Sequence, residues 1–126
     1  MSIERNPVGW FEIYVQDMEK AKAFYENVFQ VKLELIENPA LEMWAFPYDI
    51  KNPNCGGAIV KMEGVSSGMG GTLVYFSCDE DCAIEEARAA EFGGKVMRPK
   101  MSIGEYGFIS LVIDPDGNMI GLHSTD

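Results

Sequence analysis

Apolar and polar side chains alternate along Trp10-Phe11-Glu12-Ile13-Tyr14-Val15. That period of two predicts a half-buried strand with Phe11, Ile13 and Val15 on one face. The period then changes. Met18, Ala21, Tyr25, Val28 and Phe29 recur at helical spacing behind Asp17, a good N-cap, while Glu19, Lys20, Lys22 and Glu26 fall on the wet side. Further strands are predicted over 31–36, 41–46 and 57–62. Asn38-Pro39 breaks the first of these, and a Pro- and Asn-rich loop covers 47–56. Residues 64–71 hold four glycines and two serines and read as a flexible linker.

The same order then returns. A strand over 72–78 is followed by cap residues in 79–81. Next comes a helix carrying Ala83, Ile84, Ala87, Ala90 and Glu91, stopped by Phe92-Gly93-Gly94. A strand over 95–100, a loop over 102–107 and a hairpin of 108–113 with 118–123 complete the copy. The hairpin turns at Asp114-Pro115-Asp116-Gly117, where proline sets one dihedral and glycine permits a positive one. Val15-Gln16-Asp17 and Cys78-Asp79-Glu80 correspond at an offset of 63 residues, half of the 126-residue chain, and Phe29 and Phe92 keep that offset. The chain therefore predicts an α+β fold, βαβββ written twice, in one domain over 1–126. Module one is 8–63, the linker 64–71 and module two 72–124. Each copy is too small to bury a core alone, so the two are expected to pack together. Two facing sheets leave a cleft, where small ligands bind.

Composition narrows the partners. Twenty acidic side chains oppose ten basic ones, a net charge of −10. Such a chain repels phosphate backbones, so neither nucleic acid nor an anionic membrane is expected as a partner. No apolar run approaches the roughly 20 residues that span a bilayer. No secretory signal is visible in residues 1–7, and a cytoplasmic protein is expected. Cys55, Cys78 and Cys82 are odd in number and read as small hydrophobes rather than a disulfide framework or zinc site.

The doubled βαβββ order, Val15-Gln16-Asp17 followed by Ala21, Ala23, Phe24, Tyr25 and Phe29, and the Asp114-Pro115-Asp116-Gly117-Asn118 turn resemble the vicinal oxygen chelate superfamily. This is the group of glyoxalase I, bleomycin-resistance proteins and extradiol dioxygenases. The resemblance covers nearly the whole chain. It implies a cup of curved sheets with helices on the outer face, formed by two chains that pair as a homodimer, as they often do, or closed by one chain on its own. It also implies that enzymatic members bind a divalent metal in the cup through His, Gln and Glu at four places. Those places correspond here to Trp10 and Leu73 in the first strands, to Gly121 after the hairpin turn, and to the neighbourhood of Ala58. None of these side chains suits a hard or borderline divalent ion. No metal site and no cofactor is therefore expected.

If those positions face the cup, so do Trp10, Glu12 and Tyr14, then Leu73, Tyr75 and Ser77, then Met119, Gly121 and His123. Trp44, Met101 and Tyr106 are added as lining, with Trp44 as an aromatic wall and Tyr106 on a lid over 102–107. Phe46 and Phe108 read better as core. The expected ligand pocket is thus Trp10, Glu12, Tyr14, Trp44, Leu73, Tyr75, Met101, Tyr106, Gly121 and His123. Glu12 has two readings: a ligand anchor or general base, or a carboxylate that bonds Tyr75 or reaches water. His123, the only histidine, is the other catalytic candidate.

The leading functional reading is a metal-free protein that binds a small molecule. The alternative is a metal-dependent lyase, isomerase or dioxygenase with relocated ligands such as Glu12 and His123. A third reading is metal-free acid–base chemistry at Glu12 with Tyr75 or His123.

Overall fold

The computed structural model describes residues 6–49, 51 and 54–126. The elements run β1 (Val8–Tyr14), α1 (Met18–Phe29), β2 (Glu34–Ile36), β3 (Glu42–Ala45) and β4 (Gly56–Lys61). They continue as β5 (Thr72–Ser77), α2 (Cys82–Glu91), β6 (Lys95–Ser102), β7 (Phe108–Ile113) and β8 (Met119–Ser124), with a 3-10 turn at Gly104–Tyr106. This is the predicted α+β order, βαβββ twice. Part of the loop expected over 47–56 lies outside the described residues. No described helix is long and apolar enough to cross a membrane. The described chain forms two compact units, Trp10–Thr72 and Leu73–Asp126, the second taking in residues 6–9 as well.

In the first unit the strands lie in the order β2-β3-β4-β1. β1 and β4 are parallel, while β4 with β3 and β3 with β2 are antiparallel. Asp17 caps α1 through its side chain, which accepts from the Lys20 amide at 3.1 Å. One face of this sheet packs on the helix. Met18, Leu33 and Ile59 form the buried centre there, joined by Ile13, Val15, Ala21, Tyr25, Trp44 and Phe46. The other face centres on Met43, Ala45, Ala58 and Val60, with Trp10, Tyr14 and Ile36 against them.

In the second unit the order is β5-β8-β7-β6, with β5 and β8 parallel and the other pairs antiparallel. The side chain of Asp81 caps α2 by accepting from the Ala83 amide at 2.9 Å, and Ser124 Oγ accepts from the Cys82 amide at 3.0 Å. Cys78, Cys82, Val112 and Leu122 are the helix-side core, with Phe76, Val96, Phe108 and Ile120 around them.

Several predicted boundaries move by a residue or two, and two of the shifts have a visible cause. The strand expected over 31–36 begins only at Glu34. The Leu33 amide donates instead to Glu26 Oε2 on α1 at 2.9 Å, which ties the preceding segment to the helix. The strand expected over 95–100 runs on to Ser102, because Met101 and Ser102 pair with Ile109 and Phe108.

Candidate functional site

Register shows how deeply the repeat is built in. Glu12 pairs with Ala58 and Tyr14 with Val60 across β1 and β4; Tyr75 pairs with Gly121 and Ser77 with His123 across β5 and β8. Each pair of the second copy is its counterpart shifted by the same offset seen in the sequence. Ala58 is therefore the counterpart of Gly121, an alignment the sequence left uncertain.

Paired residues on neighbouring strands point to the same side of a sheet. Trp10, Glu12 and Tyr14 thus share the face away from α1 with Gly56, Ala58 and Val60. Glu12 is 8% exposed. Its carboxylate accepts from Tyr14 Oη at 2.8 Å and from Trp10 Nε1 at 3.2 Å, both from its own strand. The Trp10 ring lies across Gly56, where an added Cβ would come within 3.0 Å of Cζ3. Tyr48 meets Trp10 edge-on, with ring centroids 5.4 Å apart. Burial pushes the Glu12 carboxyl above the usual carboxylate range, and the Tyr14 and Trp10 hydrogen bonds offset part of that rise.

Trp44 corrects the expected lining. It pairs with Ile59, which pairs with Ile13, so all three face α1. Its indole N–H donates to Glu42 Oε2 at 2.9 Å, and the Lys22 ammonium sits 3.7 Å from its ring centroid. It is part of the helix-side packing and cannot line the face that carries Glu12. Phe46 and Phe108 lie on helix-side faces, as expected of core.

In the second unit Leu73, Tyr75 and Ser77 are buried. The Tyr75 ring covers Gly121 so closely that a Cβ there would fall 2.2 Å from Cδ1. His123 Nε2 donates to the Tyr106 carbonyl at 2.6 Å. That bond fixes the 3-10 turn to β8, and the Ile103 amide bonds the Gly107 carbonyl at 2.8 Å across the same loop. The segment expected to act as a lid is thus bonded to β8 through Tyr106 and closed on itself between Ile103 and Gly107. Met101 lies one strand pair beyond His123 through Ile109, and its sulfur accepts from the Arg98 guanidinium at 3.7 Å.

Sequence reasoning missed two residues here. Tyr48 lies in the loop before β4, where no periodicity marks a contact with Trp10. Glu86 is the other: its Oε1 accepts from the fully buried Ser110 hydroxyl at 2.7 Å and from the Lys100 amide at 2.6 Å, joining α2 to β7 and β6.

The comparison with known families follows these same elements. The model of the Glyoxalase/Bleomycin resistance protein/Dioxygenase superfamily matches residues 8–122, from the start of β1 into β8. The chain belongs to that superfamily. No protein of curated function matches it in sequence. Solved structures agree on the fold. A hypothetical protein from Bacillus halodurans C-125 superposes with a TM-score of 0.69 at 9% identity, covering 92% of this chain and 91% of that one. A methylmalonyl-CoA epimerase from Streptomyces coelicolor, in complex with 2-nitronate-propionyl-CoA, gives 0.66 at 12% identity, covering 94% and 96%. The methylmalonyl-CoA epimerase of Mycobacterium tuberculosis gives 0.64 at 14%, covering 93% and 86%.

Membership of this superfamily makes the metal a direct test of the donor set. The four positions that the sequence resemblance assigns to metal ligands hold Trp10, Ala58, Leu73 and Gly121. Three offer only hydrocarbon or hydrogen. The fourth offers an indole N–H, which donates and cannot ligate. Among the described residues no three His, Cys, Asp or Glu side chains come together as a metal-holding group. The residues present do not fit the superfamily's ion.

Proposed function

We propose that this glyoxalase-superfamily protein binds a small organic molecule on the face of β1 and β4 that bears Glu12, with no divalent ion as intermediary. Glu12 carries the reading. A carboxylate that is 8% exposed and held by two neutral donors costs folding free energy, and a binding role accounts for that cost. It stands opposite Ala58, where the superfamily pattern would place a metal ligand. Trp10, Tyr14 and Tyr48 supply aromatic surface beside it, the usual composition of a small-molecule site. A homodimer is the expected assembly by the habit of the superfamily, and light scattering after size exclusion checks it.

The test is a screen of pocket-sized compounds by thermal shift and isothermal titration, run on wild type and Glu12→Gln. A saturable ligand whose affinity falls in Glu12→Gln supports the reading. A folded protein that binds nothing, or binds equally well in both forms, removes it.

A further inference from the structure

Two Trp–Glu pairs occur within one sheet of this protein, and a cation accompanies one of them. On the helix side, Trp44 donates its indole N–H to Glu42, two residues away on β3, and the Lys22 ammonium sits 3.7 Å from the ring centroid. On the opposite side, Trp10 donates its indole N–H to Glu12, two residues away on β1. The sequence spacing and the donor–acceptor pair are the same. Among the described residues no ion pair reaches Glu12, whose carboxylate accepts from the neutral Trp10 and Tyr14.

The paired rows of that face carry no positive charge. From β1 to β2 the row through Glu12 runs Glu12, Ala58, Ala45, Glu34, with one carboxylate on β1 and another on β2. Neighbouring rows hold Trp10 with Gly56, and Tyr14 with Val60, Met43 and Ile36. A buried carboxylate beside aromatic rings, with no described cation paired to it, attracts a cation. The ring quadrupole and the carboxylate both attract it, and both attractions grow as water is excluded. Each Glu12 oxygen accepts one bond from its neighbours and keeps a further lone pair for a ligand N–H.

We infer that the ligand of this face carries a protonated amine, which takes at Trp10 and Glu12 the role that Lys22 takes over Trp44. This inference rests on the proposed binding function and names its chemistry.

Fluorescence tests it. The chain has two tryptophans, so Trp44→Phe leaves Trp10 as the only indole, at the site itself. Benzylammonium chloride, benzyl alcohol and sodium benzoate are titrated to about 10 mM, enough to saturate a site of millimolar Kd. The expected result is a saturable response to benzylammonium, at least about tenfold stronger than to the alcohol or benzoate. That response is lost in Trp44→Phe/Glu12→Gln, whose thermal melt shows it folded. An equal response to the alcohol, or one that survives the Glu12 change, overturns the amine while leaving small-molecule binding in place. No response to any of the three overturns the amine, and the wider screen then decides whether the binding function falls with it.

Discussion

Trp10 Nε1 lies 3.2 Å from Glu12 Oε2, two residues along one strand, and Tyr14 Oη lies 2.8 Å from the other oxygen. Three successive side chains of one strand face thus form a polar set beside Gly56, Ala58 and Val60. The two hydrogen bonds explain how a carboxylate is held there, and burial gives Glu12 a pH-dependent contribution to stability.

Glu12→Gln is expected to leave stability equal or raised at neutral pH. The folded carboxyl titrates above its ordinary value, chiefly through burial. The fold therefore prefers the protonated form. This preference stabilises fully below the unfolded pKa and is lost as pH rises through the folded one. The substituted amide cannot ionise and keeps a similar shape. Urea unfolding of both proteins at pH 4, 6 and 8 should show the variant gaining on wild type as pH rises. A variant that becomes relatively less stable toward pH 8 would show instead that the ionised carboxylate is what the fold needs.

Gly121→Ala is expected to destabilise by about 1–3 kcal/mol, the usual cost of overpacking. The added methyl would meet the Tyr75 ring at 2.2 Å. Tyr75→Leu in the same chain should return part of that loss, because the two sites share one volume. Additive effects in the double variant would mean that the ring does not rest on Gly121.

Glu86→Leu should cost about 1–3 kcal/mol. It removes the acceptor for the Lys100 amide and the Ser110 hydroxyl together. Ser110→Ala should cost less, since Glu86 then keeps the Lys100 bond. Thermal melts of the two variants check the order. The reverse order would place the weight on the Ser110 hydroxyl, which also lies 3.1 Å from the Arg98 carbonyl.

Alkylation should separate the cysteines. Cys55 is exposed, whereas Cys78 and Cys82 are buried. Burial, with Glu85 and Cys82 adding to it, pushes the Cys78 thiol up to about 12, so its thiolate is scarce at pH 8. Iodoacetamide on native protein should add one group per chain by mass spectrometry, at Cys55, and three after unfolding. Early labelling of Cys78 would mean that the helix-side core of the second unit opens readily.

How much of this was readable from the chain depends on what each residue's neighbours are. The helices were legible because Asp17 and Asp81 cap them and apolar side chains recur at helical spacing. The doubled order was legible because the offset linking Val15 to Cys78 also links the paired rows. Trp44 shows the limit. Alternation puts it on one strand face with Glu42 and Phe46, but a strand's period does not say which face meets the helix. The register with Ile59 and Ile13 decides that, and register is a property of three strands together. The start of β2 escaped for a similar reason, since the Leu33 amide bonds Glu26 of the helix. Glu12 stood out in sequence as a carboxylate between aromatics. Its partners did not: Tyr75 or water was expected, whereas Trp10 and Tyr14, its neighbours two residues away on the same strand face, donate to it.

The central claim is that Glu12 serves a ligand directly and no divalent ion intervenes. Elemental mass spectrometry measures this most directly, on untagged protein purified without chelator, before and after incubation with zinc, nickel, manganese and iron(II). The account predicts far less than one metal per chain in every condition, unchanged by Glu12→Gln. One tightly held ion per chain, lost in Glu12→Gln, would contradict it and assign Glu12 to a relocated metal site.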